Sequence, residues 1–362
     1  MTNGKADLSF KFGAGRYLAG QGLLEQAGIE IARFGRKPII IGGPTALART
    51  RSRLAAGLET AGLPALFAEH AGAVCHEAAR TIAEQAVMSA CDVVVGVGGG
   101  RSMDFAKLVA LYLGTRVVNI PTSIATCAAY TPFSLVYTPD GQTIPGNYCS
   151  DLEVAAVLVD LDIMAGQPVR LVVAGILDAM AKAVEVKNGH PELPAGRPLN
   201  LRAASHLAQF SWAHLTDLAD QACRDVAAGQ ATQALEDVVF LNLPLTGMIS
   251  ALSRGVGQSA LAHELYYQAR LHFTQTSQVA LHGEIVGVGL LMQMAYNQTL
   301  DQASPFRAFL RRHGAPACLA QIGISPTESN VSVLREAIKA TCLVGPDDQS
   351  RRRLDQAFEQ II

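Results

Sequence analysis

The chain has 362 residues, 49% hydrophobic and 17% charged, which is enough apolar material for two packed domains and argues against disorder. Twenty-nine basic against thirty-one acidic residues leave a formal charge of −2 with no basic run, so nucleic acid is not an expected partner. Mean hydropathy is high at +0.23, yet no uninterrupted apolar stretch is long enough to span a bilayer, and no membrane association is expected.

In chain order, a turn at Phe12-Gly13-Ala14-Gly15 precedes a helical pattern over 23–34 and an apolar run over 38–41 that stops at Gly42-Gly43-Pro44. A helical stretch over 45–61, a short segment over 65–68 and a helix over 77–89 follow. A β-branched run over 91–97 then ends in Gly98-Gly99-Gly100. A helix over 104–112 leads to another apolar run over 115–120. Apolar strands alternating with helices predict a parallel sheet buried on both faces. Residues 134–137, the turn Pro139-Asp140-Gly141 and the run 154–159 predict a hairpin-like excursion at the domain edge. After Pro168 the strand signals stop. Helices are expected over 169–187, 199–217, 221–227, 232–251, 260–269 and 284–298, then in the tail from 306, with turns at Gly314-Ala315-Pro316 and Gly345-Pro346. The expected architecture is α/β. A Rossmann-like parallel-sheet domain over 1–165 binds nucleotide, an all-helical domain covers 166–362, and the active site lies in the cleft between them.

Residues 1–17 lack the apolar core of a secretory signal. The seven cysteines (75, 91, 127, 149, 223, 318 and 342) are scattered, odd in number and never spaced C-x-x-C. Reduced thiols in a cytoplasmic protein are expected.

Two groups of residues carry chemistry. At Gly98, Gly99 and Gly100 a buried strand runs through glycines directly into a helix, letting backbone N–H groups approach a pyrophosphate. Ser102 adds a hydroxyl donor, and Asp104 sits in the first helical turn. Three glycines exceed what a plain turn needs, although the pattern is neither GxGxxG nor a Walker loop. The second group is Asp178, His263 and His282. Asp178 follows the apolar run 172–177 and needs a partner if buried. A carboxylate and two imidazoles make a three-ligand set for Zn²⁺ with a fourth position open to a substrate oxygen. From spacing alone the other reading, histidines that only hydrogen-bond in the core, stays open.

Taken together, residues 98–107, Ile120-Pro121-Thr122, Pro168-Val169-Arg170, Ala174-Gly175, Asp178, Ala262-His263 and His282-Gly283-Glu284 resemble the iron-containing alcohol dehydrogenase superfamily. The matches keep the family order from residue 12 to about 297. That superfamily includes glycerol dehydrogenase, glycerol-1-phosphate dehydrogenase and, more remotely, dehydroquinate synthase. The resemblance implies an N-terminal NAD(P)-binding domain, a helical domain and a metal between them. It makes Asp178, His263 and His282 the metal ligands and the catalytic centre. Iron-dependent members have a further histidine where this chain has Lys182, so three ligands remain, as in the zinc-using glycerol dehydrogenases; zinc is expected, with iron the alternative. Gly98, Gly99, Gly100, Ser102 and Asp104 would form the cofactor loop, with Thr122 and Ser123 under the adenosine half. Thr131, Phe133, Leu135 and Tyr137 match the positions lining the nicotinamide.

Two positions depart from glycerol dehydrogenase. Cys127 stands where that enzyme has an aspartate for polyol hydroxyls, and the stretch 125–132 instead resembles bacterial hydroxycarboxylate dehydrogenases. Tyr266 replaces a second histidine three residues after the ligand. Cys127 and Lys182 become the candidate substrate contacts. NAD-using members often place an acid after the first strand to bind both ribose hydroxyls. Here 41–44 carries none, so NADP(H) is admissible alongside NAD(H). The expected activity is a metal-dependent NAD(P)(H) oxidoreductase that interconverts a secondary alcohol, a 2-hydroxy acid or polyol, and its ketone. Glycerol-1-phosphate dehydrogenase, favoured by Lys182 and the stretch 281–289, is the alternative. A dehydroquinate synthase-like cyclase, a lyase, is a further one, although cyclases place Glu where Asp178 stands. The substrate is a small molecule and the expected assembly a homo-oligomer.

Overall fold

The computed structural model describes residues 11–149, 153–253 and 259–362, with 143–149 described by backbone alone. Residues 1–10, which open the stretch read for a signal peptide, and the side chain of Cys149 lie outside the described residues.

Among the described residues, eight strands occupy the first half: β1 (Tyr17–Gly20), β2 (Pro38–Gly42), β3 (Leu66–Glu69), β4 (Val93–Gly98), β5 (Arg116–Pro121), β6 (Ser134–Tyr137), β7 (Thr143–Cys149) and β8 (Val154–Asp160). Between and after them run α1 (Ala27–Ile31), α2 (Pro44–Thr60), α3 (His76–Met88), α4 (Gly100–Leu113) and α5 (Leu161–Ala165). Six strands form one parallel sheet in the order β1-β8-β5-β4-β2-β3, and β6 pairs antiparallel with β7 as a separate ribbon. Continuous burial of β2 and β4 explains the parallel arrangement. Ile39, Ile41 and Val94 join the apolar cluster on one face, while Ile40, Val93 and Val95 join the cluster on the other. The order reverses between β2 and β4, so their carboxyl ends, at Gly42 and Gly98, flank the crevice where such sheets bind ligands.

Every described element after α5 is helical: α6 (Val169–Glu185), α7 (Leu199–Ala227), α8 (Gln233–Phe240), α9 (Thr246–Ser253), α10 (Leu261–His272), α11 (His282–Tyr296), α12 (Leu300–Arg312), α13 (Glu328–Lys339) and α14 (Asp348–Phe358), with short 3₁₀ turns. Two glycines set the position of α6. A Cβ on Gly175 would lie 1.9 Å from the carbonyl oxygen of Ile124, in the segment leaving β5, and one on Gly283 would lie 1.8 Å from that of Ala174. The α6 backbone is therefore wedged between the sheet's carboxyl edge and the start of α11.

Several expectations need correction. The run 154–159 is not part of the excursion: β8 lies inside the main sheet between β1 and β5, which its burial on both faces requires. Strand β1 was not anticipated, because four half-buried residues at the sheet edge carry no alternation. The pattern over 23–34 divides into a 3₁₀ turn and the short α1. Helix α4 begins at Gly100 rather than Asp104, so the connection uses two glycines and the third is already helical. The segments 199–217 and 221–227 are one helix, α7. Between α8 and α9 the backbone widens into a π segment, Leu241–Leu245, because Pro244 has no N–H to donate. The continuous helix Gln233–Ser253 has the length and apolar content of a membrane span despite Glu236 and Asp237, and most of it is buried inside the helical half.

Candidate metal centre and cofactor crevice

At the crevice, Gly98 has φ +144°, a backbone setting that favours glycine, and its carbonyl accepts the Thr122 N–H at 2.9 Å. Gly99 is the N-cap of α4 and Gly43 that of α2; neither supplies a side-chain cap, so the first N–H groups of α4 stay available, while α2 opens on Pro44, which has none. A Cβ on Gly99 would touch only the Ser123 hydroxyl, at 3.5 Å, so the space beyond it is open. A Cβ on Gly98 would come within 2.5 Å of the Ser102 hydroxyl, which places that group against the loop. Free N–H groups, open space above Gly99 and two nearby hydroxyls, on Ser102 and Ser123, fit a pyrophosphate.

Asp104 lies one layer behind. Its Oδ1 is 2.9 Å from Lys107 Nζ, and its Oδ2 accepts the Leu135 N–H at 3.3 Å. Burial pushes its carboxyl up, and the Lys107 ammonium opposes that. Lys107 is wholly buried and donates to the carbonyls of Ala128 at 2.9 Å, Thr131 at 3.2 Å and Phe133. The pair therefore pins the segment 127–135 onto α4, and the contacts of Asp104 are with protein. On that segment and β6, Thr131 is buried with its hydroxyl unpartnered among the described residues, Leu135 and Tyr137 are half-buried, and Phe133 is exposed.

The triad expected from sequence comes together. Asp178 Oδ1 lies 3.2 Å from His263 Nε2 and 3.3 Å from His282 Nε2, and the three donor atoms are all within 4.8 Å of one another. Asp178 is in the middle of α6. His263 is the third residue of α10, and His282 the first of α11. Arg170 grips Glu284 through two contacts of 2.6 Å, and Glu284 Oε2 accepts the Leu281 N–H at 2.7 Å, which fixes where α11 begins. Asp178 and His263 are buried, while the His282 side chain is 23% exposed and gives the centre its opening. Burial would raise the Asp178 carboxyl, but His282, His263 and Lys182 hold it well below the usual carboxylate range. Burial would lower His263, but Glu185 and Asp178 hold it above the usual imidazole range. A carboxylate oxygen and two imidazole nitrogens converging on one point suit a divalent ion, with the remaining approach on the His282 side.

Comparison with known proteins gives the family. Residues 14–160 match the sequence profile of the iron-containing alcohol dehydrogenases. The chain is 33% identical over 258 residues to a glycerol dehydrogenase of Thermotoga maritima, covering 69% of this chain and 67% of that protein. It belongs to the iron-containing alcohol dehydrogenase superfamily. It is 34% identical over 232 residues to hydroxycarboxylate dehydrogenase A of Escherichia coli, covering 64% of this chain and 63% of that protein. Its fold is shared with the crystal structure of a probable glycerol dehydrogenase from Sinorhizobium meliloti, with a TM-score of 0.81, 24% identity, and coverage of 96% and 97% of the two chains.

Around the triad, this member of the family carries its own set of neighbours. Cys127 is buried close enough to Asp178 and Lys182 to feel both charges, and burial pushes its thiol up to about 12. Lys182, one turn along α6 from Asp178, is also buried, and its charge acts on Asp178, Glu185 and His263. Tyr266 stands edge-on to His282 with ring centroids 4.3 Å apart, and it lies near enough to Tyr137 of β6 to add to the burial that pushes that phenol up. Sequence reasoning missed Glu185, a fully buried carboxylate in contact with His263. Its spacing of seven residues from Asp178, two turns along one helix face, was the available signal. It also missed the burial of Lys107.

Proposed function

We propose that this chain is a divalent-metal- and NAD(P)(H)-dependent dehydrogenase of small hydroxy acids, accepting NADP(H). The reaction is 2-oxo acid + NAD(P)H + H⁺ → 2-hydroxy acid + NAD(P)⁺, and its reverse. The observation that carries the reading is the buried ammonium of Lys182 and the neutral thiol of Cys127 beside the triad. A site without an acid at 127, and with a cation one turn from Asp178, favours an anionic substrate.

Asp178, His263 and His282 would hold the ion, which when bound supplies Lewis-acid polarisation of the substrate oxygen; zinc suits the donor set, with iron the alternative. The glycine loop at 98–100 and Ser102 would hold the pyrophosphate, and Thr122 and Ser123 would support the adenosine half. Thr131, Phe133, Leu135 and Tyr137 would flank the nicotinamide, which when bound would supply the hydride. Asp104 and Lys107 keep that wall in place. Lys182 attracts the carboxylate, and Tyr266, edge-on to His282, packs against one side of that approach. The likeness to hydroxycarboxylate dehydrogenase A supports the substrate class. A phosphorylated polyol is the second reading, since Lys182 would equally meet a phosphate; a glycerol-1-phosphate dehydrogenase of Aeropyrum pernix is 28% identical over 314 residues.

The test is a panel of 2-oxo acids, sugar acids, glycerol and glycerol 1-phosphate, run with each nucleotide and with added Zn²⁺ or Fe²⁺. Reduction of a 2-oxo acid should exceed glycerol oxidation by at least about tenfold in kcat/KM, a difference of about 1.4 kcal/mol. Cys127→Asp should lower activity on the anionic substrate and admit glycerol. Efficient glycerol turnover by the unmodified chain, with none on any hydroxy acid, would reject the reading.

A further inference from the structure

We propose that Glu185 is a positioning residue that selects the tautomer of His263 able to bind a metal ion. The inference rests on the metal reading of the triad and adds a fourth residue to it. Glu185 is the last residue of α6, is completely inaccessible to solvent, and lies seven positions after Asp178. Its two oxygens do different work. Oε1 accepts the backbone N–H of Ala260 at 2.7 Å and of His263 at 2.9 Å, capping the start of α10 from a neighbouring helix. Oε2 lies 2.6 Å from His263 Nδ1.

Once His263 Nε2 is given to an ion, the neutral ring keeps one N–H, at Nδ1, and Glu185 Oε2 accepts it. A carboxylate at this point can only accept, so it holds the proton at Nδ1 and frees the Nε2 lone pair for the ion. The isosteric amide reverses this. In Glu185→Gln the amide oxygen must stay where two backbone N–H groups point, which puts the NH₂ against Nδ1. An NH₂ donates, so the proton of the neutral ring moves to Nε2 and removes the lone pair the ion needs. The helix cap survives, and the ligand is switched to the wrong tautomer.

The experiment measures the Zn²⁺ dissociation constant of the full chain by chelator competition, for wild type, Glu185→Gln and Glu185→Asp. Thermal melting of the metal-free proteins and nucleotide binding report on the fold. The Gln variant should weaken Zn²⁺ binding by about 10–100-fold with nucleotide binding retained. The Asp variant, which keeps a carboxylate, should lose less despite its shorter reach. A residue that merely caps α10 would give the opposite order, because Gln preserves both backbone bonds. Zn²⁺ affinity of the Gln variant within about threefold of wild type overturns the proposal. So does a Gln variant that binds Zn²⁺ more tightly than the Asp variant, the order a mere helix cap gives. If the wild type itself binds no ion at the triad, the metal reading fails first, and a titration of the unmodified protein shows that separately.

Discussion

Lys182 and Cys127 set the charge that a substrate meets beside the triad. If the ammonium holds the substrate carboxylate in both ground and transition states, Lys182→Met removes binding more than turnover. KM for the 2-oxo acid should rise about 10–100-fold, the loss of a charged hydrogen bond of about 1.5–3 kcal/mol, with kcat changing less and metal content unchanged. Equal KM values in steady-state kinetics would place the anion contact elsewhere. Single residues also show where the sequence was readable. Asp178 was legible because a charge among Val172, Val173, Ile176 and Leu177 demands a partner. Glu185 and Lys107 were not. A charged residue at a helix end or after a glycine loop reads as solvated, and only the fold shows that carbonyls, N–H groups and an imidazole surround it.

At the scale of elements, two glycines do opposite jobs and should respond differently to a side chain. Gly99 caps α4 in an extended conformation with open space ahead of it, so Gly99→Val should fold and fill that space. Nucleotide affinity should fall at least about tenfold, with the melting temperature nearly unchanged; unchanged affinity in equilibrium binding would leave the loop as a mere connection. Gly283 instead lies against the α6 backbone, and Gly283→Ala drives a Cβ onto Ala174. Overpacking there should cost about 1–3 kcal/mol in denaturant unfolding and, by displacing His282, lower metal content as well. The alternation of strands and helices was legible because period and burial are local. The placement of β8 and β1 was not, since strand partners are chosen across the chain. The start of α4 at Gly100 and the fusion into one α7 follow from packing that overrides weak local breakers.

Across the whole molecule, one apolar cluster runs from the sheet face through α6 to the core of the helical half. The polar groups that matter gather where that continuity meets the carboxyl ends of the strands. The crevice of Gly98 and Gly99 belongs to the sheet, and the triad belongs to three helices, so the two functions should separate on mutation. The most direct measurement is the metal content and nucleotide affinity of purified His282→Ala beside wild type, by elemental analysis and equilibrium titration. The metal reading predicts that the variant loses its ion and its turnover while binding nucleotide as before. An unchanged metal content in that variant would contradict it.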